Sequence, residues 1–339
     1  MYKPNTPWTW TFLIIAFVQA AIVLGFEGYV FASFQTSLKE GAGRLPQSRT
    51  IPTYLTLFIF GFVYQLILVY DALRLKNTIQ VIGLCVYNVG LLIYASVQMD
   101  QIRQAIVILK DQQYVNEGVN IWGSCKPFLI AVPCVIALGT VLLSAVAWKL
   151  YDEFAWTIYK HISADLRMKR RYLTFQIYIA LLKFDFFFFL GFTVQFVVIV
   201  LDARDIEFGL TIAVIPVTIA ILVLAAFWTR RENKAGMILI IFFYFAALAY
   251  FLFKLVRMYQ PVREKNYKPA RRSLTTFAII TVILIVLTII NAIVCTGNFD
   301  KGLKPHITKR KLENEDEKVS DTEMPSMAHG PVPSRMTID

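Results

Sequence analysis

Long apolar runs separated by short polar or basic segments make up most of the chain. A helix that crosses the roughly 30 Å hydrocarbon core of a bilayer needs about 20 apolar residues. Eight runs meet this requirement, so the pattern predicts an all-α, polytopic transmembrane helical bundle with eight spans. The predicted spans are about 11–34, 52–72, 79–98, 127–148, 172–201, 208–228, 236–256 and 274–296.

The third run is the weakest of the eight, because Gln80, Asn88 and Gln98 dilute its apolar character. If it is not a crossing, seven spans remain. The segment 102–110 after it is either a continuation of this span or an interfacial turn. Very short connections at 74–78 and 202–207 predict helical hairpins, since a short joint forces neighbouring helices to run antiparallel.

After the eighth span the chain changes character. Residues 297–339 are polar, contain proline and lack periodicity, which predicts a disordered tail. Ser320 and Thr322 lie among acidic residues in this tail and are candidate phosphorylation sites, with an unmodified acidic tail as the alternative.

Composition agrees with a membrane protein: 57% of the 339 residues are hydrophobic and only 17% are charged. The formal net charge is +11, and the basic residues cluster between the apolar runs. This distribution predicts contact with anionic lipid and gives no indication of nucleic-acid binding. The four cysteines have neither disulfide nor zinc-site spacing, and the sequence predicts no cofactor and no metal site.

The positions of Lys and Arg also predict orientation. The 149–171 segment carries six, the 229–235 segment three and the tail seven, and eight spans put all of these on one side. The positive-inside rule makes that side, and therefore the C-terminus, cytosolic, where the tail could meet cytosolic partners. The exception is the segment from Arg257 to Arg272, whose six bases would face the lumen.

Five polar residues within the apolar runs are candidates for an intramembrane site, because a lone charge in the bilayer costs several kcal/mol and therefore needs a partner. Lys183 and Asp185 are two residues apart, about 200° around a helix, and must find separate partners. The available partners for Lys183 are Glu27 and Asp71; for Asp185 they are a tyrosine, an asparagine such as Asn88, or a basic residue.

The depth of Lys183 depends on the register of an over-long fifth span. If Arg171 lies at the headgroups, Lys183 is about 18 Å further along the helix, near mid-membrane. If the hydrocarbon core begins at Phe184, Lys183 reaches back to an interface. The first register predicts a structural tie or a transport pathway, and the second predicts an anchor.

Catalytic motifs are weak. His161 and Asp165 share a helix face at i and i+4, as a general base and its orienting acid would, but no second motif accompanies them. Pro133 and Pro216 lie inside spans four and six, where they either kink the helix or break it to form an ion site.

Segments 56–102, 164–201 and 228–236 resemble a fungal family of uncharacterised Golgi apparatus membrane proteins. The resemblance covers roughly residues 50–300. It implies a multi-pass protein of the Golgi, and it implies no reaction and no site residues.

The leading functional hypothesis is therefore an endomembrane protein that organises the membrane or sorts other proteins. The alternatives are a transporter or receptor-like protein with a polar cavity, and, third, a lipid-modifying enzyme. A cavity predicts that the five candidate residues converge, whereas a scaffold predicts that they are scattered and individually paired. The five are Glu27, Asp71, Asn88, Lys183 and Asp185.

Overall fold

The structure is a computed structural model that describes residues 6–39, 46–116, 120–161, 166–200, 206–260 and 271–301. Within these residues, eight helices are long and apolar enough to cross a membrane, which confirms the predicted polytopic bundle. The helices are α1 (Pro7–Thr36), α2 (Pro46–Arg74), α3 (Thr78–Asp111), α4 (Ile121–His161), α5 (Leu166–Gln195), α6 (Ile206–Arg231), α7 (Lys234–Met258) and α8 (Arg271–Gly297). A π-helical turn, Phe196–Val200, continues α5.

Contacts between helix ends show that successive helices alternate in direction. At one end of the bundle, Leu38 after α1 pairs with Val115 after α3, and the Arg272 side chain at the start of α8 forms an ion pair with Asp100 of α3. At the other end, the Arg171 guanidinium donates to the backbone carbonyl of Lys301, 2.7 Å away. We call the first end the Asp100 end and the second the Arg171 end.

The α2–α3 and α6–α7 hairpins use the same turn. Lys76 and Glu232 adopt left-handed conformations, with φ of 46° and 55°. Each is followed by an asparagine whose side-chain oxygen caps the next helix: Asn77 accepts from the Gln80 backbone N–H, and Asn233 accepts from that of Gly236. The first hairpin lies at the predicted position 74–78. The predicted hairpin at 202–207 falls partly outside the described residues.

Two helices extend further than the apolar runs predict. Helix α3 continues without a break to Asp111, so the segment 102–110 is a continuation and not an interfacial turn. Helix α4 runs to His161, beyond the predicted end of the fourth span at 148. Pro133 and Pro216 lie inside α4 and α6, and both helices continue on either side of the proline.

The phenylalanine-rich part of α5 packs against glycines of its neighbours. Phe184 and Phe188 lie over Gly83 and Gly90 of α3, so close that a side chain at either glycine would overlap the ring. The four residues recur at intervals of four on α5 and seven on α3, which keeps each pair on one helix face. The aromatic run is therefore part of the packed core, and α5 is the most buried of the eight helices.

Candidate functional site

Helix α3 carries polar side chains into the centre of the bundle. Gln80, Asn88 and Gln98 are all buried. Along an α-helix they are separated by about 12 Å and about 15 Å, so they occupy three successive levels. Each bonds to different helices, and we name the levels after their principal residue: the Lys183 layer, the Asn88 layer and the Glu27 layer.

The Lys183 layer joins α2, α3 and α5. The ammonium of Lys183 donates to Asp71 Oδ2 at 2.5 Å and to Gln80 Oε1 at 2.8 Å. The Gln80 amide in turn donates to Asp71 Oδ2 at 3.0 Å and to the Leu68 carbonyl at 2.9 Å. Of the two carboxylates considered as partners, the structure places Asp71, and not Glu27, beside Lys183. The side chains of Lys183 and Asp71 remain 25% and 36% exposed.

The Asn88 layer joins α1, α2, α3 and α4 through uncharged groups. Asn88 Oδ1 accepts from the amides of Gln19 at 2.8 Å and Gln65 at 3.3 Å. Its Nδ2 donates to Thr140 Oγ1 at 2.9 Å and to Gln19 Oε1 at 3.3 Å. The Gln19 amide lies directly over Gly139 of α4, where a methyl group would overlap it. One asparagine thus contacts three neighbouring helices at one level.

The Glu27 layer lies nearer the Asp100 end and joins α1 to α3. Glu27 is only 2% exposed, and its Oε2 accepts from Gln98 Nε2 at 3.0 Å. Tyr94, one helical turn before Gln98, interacts electrostatically with Glu27. Among the described residues, Gln98 Oε1 and Tyr94 Oη are buried without a hydrogen-bond partner. This layer therefore retains oxygen atoms that its own side chains leave unpaired.

Asp185 lies on the other side of α5 from Lys183, as the two-residue spacing requires. Its Oδ2 accepts from the Thr288 hydroxyl of α8 at 2.6 Å, while its buried Oδ1 has no partner within the described ranges. Neither Asn88 nor a basic residue bonds to Asp185 within the described residues, whereas Tyr178 and Tyr244 interact with it electrostatically without a hydrogen bond. Thr288 carries no sequence signal that distinguishes it, because threonine is common in membrane helices.

The five candidate residues do not meet at one place. Lys183 and Asp71 share a layer, and the other three each lie in a different set of contacts. Sequence reasoning missed the neutral partners: it treated Gln80 and Gln98 only as dilution of the third run, and it did not consider the others. These partners are Gln19, Gln65, Gln80, Gln98, Thr140 and Thr288.

The remaining candidate residues from the sequence lie at the end of a described range or outside the described residues. His161 is the last residue of α4, and Asp165 lies outside the described residues, as do Ser320 and Thr322. In the part of the chain that the structure describes, no group of three His, Cys, Asp or Glu side chains is placed to hold a metal ion.

The fold and its internally paired polar residues define a multi-pass α-helical membrane protein. A Schizosaccharomyces pombe protein described as "UPF0658 Golgi apparatus membrane protein C23H3.04" is 36% identical over 315 residues, which cover 87% of this chain and 88% of that protein. The chain therefore belongs to the UPF0658 family, which confirms the resemblance found in the sequence. No protein-family model and no solved structure matches the chain.

Proposed function

We propose that this chain is a Golgi-resident scaffold that organises the membrane or sorts other membrane proteins. The observation that carries the proposal is the separation of the polar residues into layers, each with its own partners on neighbouring helices. A transport pathway would require polar groups that face a common route, whereas these groups bond to each other and fix the packing of the helices. The description of the S. pombe relative supports the Golgi location.

Comparison of Golgi membranes from cells with and without the protein tests this function. We expect resident Golgi membrane proteins to redistribute, as measured by quantitative proteomics, while the metabolites and lipids of sealed Golgi vesicles stay unchanged. Re-expression of the wild-type chain should restore the distribution. An unchanged set of residents would overturn the proposal, and a specific change in one metabolite or lipid would favour a transporter or a lipid-modifying enzyme instead.

One observation favours a transporter as the second candidate. Lys183 and Asp71 are charged, lie within helices that can span a membrane, and are both partly exposed. Charged residues at such positions often mark substrate or ion pathways. A Lys183→Met variant that reaches normal abundance but changes vesicle contents would support transport over the scaffold.

The orientation we propose has a cytosolic Arg171 end and a cytosolic C-terminus. Exposed basic residues at this end support it, because basic residues favour the cytosolic, anionic leaflet. The residues are Lys169, Arg170, Arg230, Arg231 and Lys234.

In sealed vesicles, protease should remove an epitope placed at the C-terminus without added detergent, and protection of the epitope would reject this orientation. A cytosolic tail also exposes Ser320 and Thr322 to kinases. Mass spectrometry should detect phosphate there, and Ser320→Ala with Thr322→Ala should abolish it. Tail partners, if present, should then be captured by the tail-bearing chain and lost on its truncation.

A further inference from the structure

We propose that the Glu27 layer is a binding site for a monovalent cation, Na⁺ or K⁺, held between α1 and α3. The site consists of the Glu27 carboxylate, the side-chain carbonyl of Gln98 and the hydroxyl of Tyr94. All three side chains are 2% exposed, so the layer is closed to solvent in this structure.

The hydrogen-bond inventory of the layer leaves two buried oxygen atoms without a partner. Gln98 uses its Nε2 to donate to Glu27 Oε2, while Oε1 of the same amide is buried and has no partner among the described residues. Tyr94 Oη is likewise buried and unpartnered within the described residues. Buried polar atoms in proteins nearly always have a partner, and one bound cation would satisfy both of these oxygens.

Charge selects the kind of ion. Glu27 is the one acidic residue that the three-residue site contains, and an isolated carboxylate buried beside neutral groups is strongly unfavourable. One monovalent cation balances one carboxylate, while the amide and hydroxyl oxygens supply neutral ligands of the kind that hard cations prefer. A divalent cation would leave a net charge in a buried site.

The position of the site indicates from which end of the bundle a cation would enter. Gln98 is about 3 Å along the helix axis from Asp100, whose side chain is 41% exposed and pairs with Arg272 at the end of the bundle. A cation would therefore reach Glu27 from the Asp100 end, the lumenal end in the proposed orientation. Bound there, it would stabilise the contact between α1 and α3, which goes beyond the scaffold function and does not depend on it.

Thermal unfolding of the purified full-length chain in detergent micelles tests the site. At constant ionic strength and pH, replacing N-methyl-D-glucamine with Na⁺ or K⁺ should raise the melting temperature in a saturable manner. A ligand at 100 times its Kd increases the ratio of folded to unfolded protein about 100-fold. The variants Glu27→Gln and Tyr94→Phe, which keep side-chain size, should abolish and weaken this increase, respectively.

Asp185→Asn provides the matched control, because it neutralises a different buried carboxyl and should leave the response to cations intact. Equal melting temperatures in all three cations would overturn the proposal, as would a cation response that survives in Glu27→Gln. A dependence on pH without any dependence on Na⁺ or K⁺ would assign a proton to Glu27 and also overturn it. If Glu27→Gln fails to fold, direct titration of the wild-type chain with ²²Na⁺ or ⁸⁶Rb⁺ gives the same decision.

Discussion

Replacing Asn88 with leucine should destabilise the bundle more than any other single amide substitution in its layer. Asn88 accepts hydrogen bonds from Gln19 and Gln65 and donates to Gln19 and Thr140. Leucine is close to asparagine in size and suits a membrane helix, so the change removes the hydrogen bonds with little loss of packing. The Gln19 amide, 3% exposed, would then lose both of its hydrogen bonds, since both are made with Asn88.

The magnitude follows from these contacts. Hydrogen bonds between membrane helices contribute about 0.6 kcal/mol each on average, and a buried polar group left unpaired costs about 1–3 kcal/mol. Asn88→Leu breaks five hydrogen bonds and leaves the Gln19 amide unpaired, whereas Thr140 keeps its bond to the Ile136 carbonyl. We therefore expect the free energy of unfolding to fall by about 2–4 kcal/mol.

Gln65→Leu is the control for this experiment. Gln65 makes one 3.3 Å bond to Asn88, and its Oε1 has no partner among the described residues. Its replacement should cost only about 0–1 kcal/mol, because the unpaired oxygen is removed together with the bond. The assay is reversible unfolding in mixed micelles with a denaturing detergent, followed by circular dichroism. Equal losses in the two variants, or a larger loss for Gln65→Leu, would refute the assignment of Asn88 as the hub.

Two further substitutions test the Lys183 layer and the close contact of α1 with α4. Lys183→Met should lower the free energy of unfolding by about 1–3 kcal/mol, which is less than for a fully buried ion pair because both side chains are partly exposed. Adding Asp71→Asn should recover part of the loss. Strict additivity of the two changes in a double-mutant cycle would argue against the ion pair. Gly139→Ala should reduce stability by about 1–3 kcal/mol because its methyl group displaces the Gln19 amide. Gly25→Ala, where nothing lies within 4 Å, should be neutral or slightly stabilising in the same unfolding assay.

The number of spans could be predicted because a bilayer imposes a minimum apolar length on every crossing helix. The helix ends could not, since α3 and α4 continue as polar helices beyond their apolar runs. Nothing in hydropathy reports where a helix ends once it has left the hydrocarbon.

The third span also shows what hydropathy misinterprets. Its glutamines and asparagine make it the least apolar of the eight runs. The same side chains are the ones through which α3 bonds to α1, α2, α4 and α5. A central helix needs polar groups that match its neighbours, whereas a peripheral helix such as α6 can be apolar on nearly all sides. Polar residues within an apolar run can therefore indicate a helix at the centre of the bundle as readily as a segment that does not cross the membrane.

The sequence predicted the candidate intramembrane residues better than it predicted their hydrogen-bond and ion-pair partners. The spacing of Lys183 and Asp185 established that they face different helices, but the choice between Glu27 and Asp71 depends on depth and on the rotation of each helix. Uniformly apolar helices reveal neither quantity. Thr288 and Gln98 were not considered as partners, because nothing in the sequence distinguishes them from the other neutral polar residues of the spans.

The central position of α3 also sets an order for synthesis. Gln19 and Gln65 precede Asn88 in the chain, but Thr140 and Lys183 follow it, and helices enter the membrane from the N-terminus onward. While α5 is still within the ribosome, Asp71 and Gln80 have no ammonium group to bind. A nascent chain that ends after α4 would expose this unpaired carboxylate to lipid, and only the insertion of α5 supplies its partner.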